Sequence, residues 1–176
     1  GRSGERKWFA LAGAALGLAV ATKFSALPLG AAVVAALSLR VGKDGWGRTI
    51  RNAALLGTVA ALAFAAGSPY AILDFRAYSH DILEQSQMVR HAGSVNYTHQ
   101  YVGTPKGWYE LREILLWGLG PFLGIAALYG TGLRVRHALA PRRRSDLVLL
   151  SWAIPFFLIS ASFDVKFPRY LLPLYP

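Results

Sequence analysis

The run Ala53-Ala54-Leu55-Leu56-Gly57-Thr58-Val59-Ala60-Ala61-Leu62-Ala63-Phe64-Ala65-Ala66 decides how this chain is read. Extended back to Ile50, it approaches the roughly 20 residues that an α-helix needs to cross about 30 Å of hydrocarbon. Similar apolar stretches occur at Trp8 to Ala21, Ala26 to Leu39, Ile114 to Leu133 and Leu147 to Ala161. A chain of 176 residues with 54% hydrophobic and 16% charged residues has little polar surface with which to cover a water-facing globule. The expected fold is therefore all-α, a polytopic helical membrane bundle of about five spans. Residues 1–176 form part of a transmembrane domain in this reading, and 67–113 form a long loop within it.

Breakers refine the spans. Ala21-Thr22-Lys23-Phe24-Ser25 separates the first two stretches, and Pro28 follows in the first turn of the next helix, where proline is tolerated. Two short spans joined by a tight turn fit this pattern, with Lys23 reaching an interface. Pro155 lies inside the last stretch and predicts a kink, because proline removes a helical hydrogen bond and crowds the preceding turn.

Charge then orients the bundle. Segments 1–7, 40–51 and 134–146 carry net charges of +2, +3 and +4, whereas 67–113 holds four basic and five acidic residues. Five spans put the three basic segments on one side, which the positive-inside rule makes cytoplasmic. Loop 67–113 is then extracytoplasmic, and the expected setting is a bacterial cytoplasmic membrane. The overall charge of +10 is read as topology and not as nucleic-acid binding, and Arg142-Arg143-Arg144 is assigned to lipid headgroups or to topology alone. Gly13 and Gly17, four apart, allow close helix approach, either inside the bundle or in a dimer.

Within 67–113, Phe75 to His91 predicts a short amphipathic helix, followed by an irregular polar and aromatic stretch to Tyr101. Asp74, Glu84, His99 and Gln100 are candidate polar contacts for a sugar or headgroup, and the tyrosines with Trp108 serve equally as an interfacial belt. His91 and His99 lack the spacing of a paired metal site, so no metal ligand is assigned. Asn96-Tyr97-Thr98 matches a glycosylation acceptor, a short and unspecific pattern. With no cysteine, disulfide and thiolate chemistry are excluded.

The tail Phe163-Asp164-Val165-Lys166-Phe167-Pro168-Arg169-Tyr170 carries two cations three apart before another apolar run. Arg169 and Lys166 suit a phosphate or pyrophosphate group, one as a forked donor and one as a point charge. The plainer reading pairs one cation with Asp164 and lets the other anchor the chain. Lys23 falls on the same side in the five-span topology.

Gly17 to Leu27, Ser68-Pro69-Tyr70-Ala71-Ile72-Leu73-Asp74-Phe75 and Lys166 to Pro176 resemble bacterial proteins of the dolichyl-phosphate-mannose protein mannosyltransferase type, within the C-type glycosyltransferase superfamily. The resemblance covers nearly the whole chain through degenerate motifs. It implies transfer of a sugar from a polyprenyl-phosphate-linked donor to a protein, lipid or glycan acceptor, with a divalent ion required in some relatives. It places Lys23, Lys166 and Arg169 at the donor phosphate and Tyr170 at the pocket wall. Physically, such cations stabilise the charge developing on a departing phosphate, while a carboxylate activates the acceptor hydroxyl. The aspartate expected in that role belongs to a region preceding this sequence, so the chain reads as an internal part of a larger polypeptide, inactive alone. Its expected partners are membrane lipids, the rest of that polypeptide and other membrane subunits. A noncatalytic scaffold or accessory subunit and a transporter with interrupted helices are the alternative readings.

Overall fold

The computed structural model describes residues 2–138 and 145–175, and among these there is no β-strand. Eight α-helices follow in order: α1 (Arg2–Thr22), α2 (Leu29–Asp44), α3 (Trp46–Gly67), α4 (Tyr70–Leu73), α5 (Phe75–Arg90), α6 (Trp108–Glu113), α7 (Pro121–Ala138) and α8 (Ser145–Ser162). The chain divides into two compact units, Gly1–Ser79 and His80–Pro176, with the division falling inside α5.

The first unit is built on direct backbone contact between α1 and α3. A side chain at Gly13 would collide with the Leu56 carbonyl, and one at Gly17 would meet the Ala60 carbonyl carbon and the Ala63 methyl at 2.9 Å. Farther along, a Cβ on Gly67 would lie 2.9 Å from the Ala21 methyl. Positions 13, 17 and 21 thus meet 56, 60 and 67 in ascending order, so α1 and α3 run parallel and α2 is the return between them. The small residues read as a packing face serve internal packing. At one end Phe64 meets Tyr78 edge to face at 6.3 Å, and on α2 Arg40 lies over the Phe9 ring and 3.6 Å from Asp44.

The break expected at 21–25 is present. Lys23 is extended (φ −153°, ψ 115°), a 3-10 turn spans Phe24–Ala26, and Pro28 precedes α2. Between α2 and α3 only Gly45 intervenes, at φ 75°, a conformation that disfavours any residue with a Cβ. The basic residues 40–51 therefore sit on helix ends rather than in a loop. The helix expected at Phe75 to His91 corresponds to α5, whose start is capped by Asp74: its Oδ1 accepts the Ala77 N–H at 3.1 Å.

The second unit pairs α7 with α8. Gly124 admits Leu115, whose carbonyl and Cδ2 would each lie 2.9 Å from an added Cβ. Arg134 donates to Asp146 at 3.1 Å between the end of α7 and the start of α8, and Trp152 packs on Phe156 at 5.9 Å. The C-terminal segment folds back so that Tyr175 fills the space left by Gly118.

These helices correct the five-span bundle. Among the described residues only two helices, Phe24–Asp44 and Trp46–Gly67, are long and apolar enough to cross a membrane, and Asp146–Ser162 is shorter. The stretch from Leu111 to Leu133, expected as one span, is interrupted: α6 passes into a π-helix at Ile114–Gly118, Gly120 takes φ 76°, and Pro121 opens α7. Charges shorten the others, since Arg6 and Lys7 lie in α1 and Arg134 and Arg136 in α7. The integral-membrane assignment with 1–7, 40–51 and 134–146 on one side and 67–113 on the other falls with the count, because that alternation requires five crossings. Arg142-Arg143-Arg144 lies outside the described residues. Large apolar side chains are nevertheless exposed in both units, among them Trp8, Trp46, Trp117 and Phe122.

Candidate anion-binding site

The densest polar chemistry gathers where the segment after α8 meets the approach to α6. The segment begins with two backbone donors on one acceptor: Asp164 and Val165 N–H groups both reach the Val89 carbonyl at 3.0 Å, near the end of α5. Val165 is fully buried. Lys166 follows, 3% exposed, donating to the Phe163 carbonyl at 3.0 Å and lying 3.3 Å from Glu110 Oε1. The latter contact is an ion pair without an aligned hydrogen bond. Glu110 is itself 3% exposed, and its other oxygen accepts the Gly107 N–H at 2.8 Å, a reach-back that closes the first turn of α6. Outside this pair, Lys106 Nζ lies 2.7 Å from Asp164 Oδ1. The hydrogen bond from Lys106 is the main cause holding the Asp164 carboxyl below its usual range; desolvation opposes it, and the charges of Lys106, Lys166 and His91 add to the lowering.

Beyond Lys166 the segment enters a cluster of rings that meet edge to face. Pro168 opens a 3-10 turn over Pro168–Tyr170. Arg169, exposed, lies over Phe167 at 4.6 Å and Tyr170 at 5.8 Å. Phe167 and Tyr170 meet edge to face at 5.6 Å, and Tyr101 abuts Phe167 at 5.4 Å. Burial pushes the Tyr101 hydroxyl up in pKa, reinforced by Tyr109 and Tyr170 and opposed by the nearby Arg169 charge. Thr98 anchors the loop that supplies Tyr97 and Tyr101: fully buried, its hydroxyl donates to the Val95 carbonyl at 2.7 Å and accepts the Gly93 N–H at 3.0 Å. The threonine of the glycosylation-like triplet is thus committed to the fold.

An exposed guanidinium whose Cζ lies over the Phe167 ring, with Tyr170 nearby, keeps N–H donors available for a forked pair of hydrogen bonds to a phosphate. A shallow cleft of about 280 Å³ lies nearby, lined by His91, Tyr101, Thr104 and Asp164 among others. Its polar groups already have partners: His91 Nδ1 lies 3.0 Å from the Gln87 carbonyl, Thr104 donates to Tyr101 O, and Asp164 holds Lys106.

The structure brings Lys166, Arg169 and Tyr170 together on this segment, while Lys23 belongs to the first unit and is exposed. Asp74 is a helix cap of the first unit. Glu84 is exposed on α5 beside His80 and Asp81, where one ligand atom from each lies within 4.8 Å of the others. His99 is exposed and packs near Gly93, and the Gln100 amide donates to Tyr97 O at 3.3 Å. Asp164 pairs with Lys106 rather than with either tail cation. Glu110, Lys106 and Phe167 were missed by sequence reasoning. Only Glu110 left a local trace, three residues beyond a glycine at a helix start.

The membrane and glycosyltransferase descriptors expected from the sequence are corrected along with the bundle, since this unit is organised by ion pairs and ring contacts. No protein-family model, curated protein sequence or solved structure matches the chain.

Proposed function

We propose that the second unit recognises the phosphate of a polyprenyl-phosphate-linked sugar, with Arg169 as the contacting cation and Phe167 and Tyr170 as its support. The single observation that carries this reading is the Arg169 guanidinium, exposed yet held 4.6 and 5.8 Å from the centroids of two rings, with no carboxylate paired to it among the described residues. A cation left solvent-facing on a rigid base loses little conformational freedom when it binds an anion. Leu172, exposed just beyond it, offers apolar surface to the lipid part of such a ligand. Lys166, buried in its pair with Glu110, supports the site from beneath instead of meeting the phosphate.

Calorimetric titration of a short-chain polyprenyl-phosphate sugar in detergent micelles against the wild-type chain and Arg169→Ala tests the reading. The expected result is saturable binding weakened at least about tenfold by the substitution, or about 1.4 kcal/mol. Binding indifferent to Arg169, or none to a folded chain, overturns it.

A further inference from the structure

Two ion pairs tie the segment carrying Arg169 to the approach of α6, and their polarity is crossed. The cation Lys106 meets the anion Asp164 at 2.7 Å, while the anion Glu110 meets the cation Lys166 at 3.3 Å. The partners are four apart on one side and two apart on the other. A slip of two residues that brought Lys166 opposite Lys106 would set ammonium against ammonium and leave Glu110 buried without a counterion. The crossed arrangement therefore selects one register among neighbours that the apolar residues around it discriminate less sharply.

The inner pair is costly to retain. With side chains 1% and 3% exposed, both charges are stripped of water, and such pairs often stabilise a fold no better than apolar residues of the same shape. Their attested use is to fix a register or a unique arrangement. Here what is fixed is adjacent: Phe167, the ring beneath Arg169, follows Lys166 directly, and Tyr101 braces that ring at 5.4 Å. The two hydrogen bonds that the Val89 carbonyl accepts from the Asp164 and Val165 N–H groups hold the segment at its other end.

We infer that the crossed pairs Lys106–Asp164 and Glu110–Lys166 are a positioning device that holds the Arg169 guanidinium in its phosphate-ready orientation, an inference that rests on the anion-binding reading above. Glu110 and Lys166 are positioning residues. They act on a phosphate-bearing ligand through the backbone and the Phe167 ring, without touching it.

The test uses the full chain and the double substitution Glu110→Gln with Lys166→Met, which removes both charges, keeps an unbranched side chain only one atom shorter at 166 and leaves an oxygen for the Gly107 N–H. Two readouts are taken, the affinity for inorganic pyrophosphate and the ¹⁵N relaxation of the Arg169 Nε–H group without ligand. The expected result is wild-type helix content, pyrophosphate affinity reduced about tenfold with Arg169 still present, and an Arg169 Nε–H that gains fast motion. Wild-type affinity together with an unmoved Nε–H overturns the proposal. If the wild-type chain binds no pyrophosphate, the anion-binding reading fails by itself, while the relaxation result still decides whether the pairs position Arg169. Should the double variant fail to fold, Lys106→Ala, at a side chain 57% exposed, breaks the outer pair in a folded protein. It is expected to weaken pyrophosphate binding about threefold and to loosen the same Nε–H, and no change in either overturns the proposal.

Discussion

The two units of this chain hold themselves together in different ways. In the first, α1 and α3 meet backbone to backbone through Gly13 and Gly17, and Arg40–Asp44 at 3.6 Å is an ion pair on a helix surface. In the second, a buried charge pair, a surface charge pair and a group of rings tie irregular segments to helix ends. Close helix packing gains dispersion over many small contacts and depends on what is absent, namely a side chain. The clasp around Lys166 depends on what is present, a few groups each of which leaves an uncompensated partner when removed.

That contrast predicts unequal responses to single changes. Lys166→Ala leaves Glu110 as a buried anion without its counterion, and loss of one member of such a pair destabilises by about 3–5 kcal/mol. Chemical denaturation followed by circular dichroism should show the loss. A change below about 1 kcal/mol would mean that water reaches Glu110 readily and that the second unit is no more polar inside than the first. Gly17→Leu attacks the other unit, forcing a side chain into the Ala60 backbone, and overpacking of this kind typically destabilises by about 1–3 kcal/mol. The measurement that sharpens the comparison is denaturation with a fluorescent probe in each unit. Gly17→Leu should shift the first-unit transition and Lys166→Ala the second.

The same contrast explains what the sequence disclosed. The first unit was legible because its signals are local: the break at Lys23, Pro28 at a helix start and Gly13 with Gly17 at four-residue spacing each act within a turn or two. α5 was legible from the amphipathic pattern of Phe75 to His91, whereas Asp74, a candidate ligand contact from the sequence, is its cap. Leu111 to Leu133 misled because hydropathy averages over a window, whereas Gly120 at φ 76° and Pro121 act at single positions. The site was half legible. Arg169 and Lys166 stood out as paired cations, but their different fates depend on Glu110, which lies 56 residues from Lys166, and on Lys106, 58 from Asp164. No periodicity encodes a contact of that separation. The rule that neighbouring cations share a ligand assigned both to one role, whereas the structure buries Lys166 and leaves Arg169 exposed.

The smallest effect expected is in acid, and it separates the two ion pairs of the clasp. Lys106 holds the folded-state pKa of Asp164 below the ordinary value of 3.8. A carboxyl depressed in this way contributes stability that is fully present above about pH 4, and it is lost as the pH falls from there through the lower folded value. With the Lys106 side chain 57% exposed and that of Asp164 35%, solvent screens the pair and the contribution is small. Stability measured by urea denaturation between pH 5 and pH 2.5 should therefore decline slightly more steeply in the wild type than in Lys106→Met, whose Asp164 has lost its main stabilising partner. At 1 M salt, where the screening length falls to about 3 Å, the difference should shrink. Identical acid slopes for the two proteins would show that Asp164 gains nothing from Lys106 in solution. The register of the Arg169 segment would then rest on the buried Glu110–Lys166 pair alone.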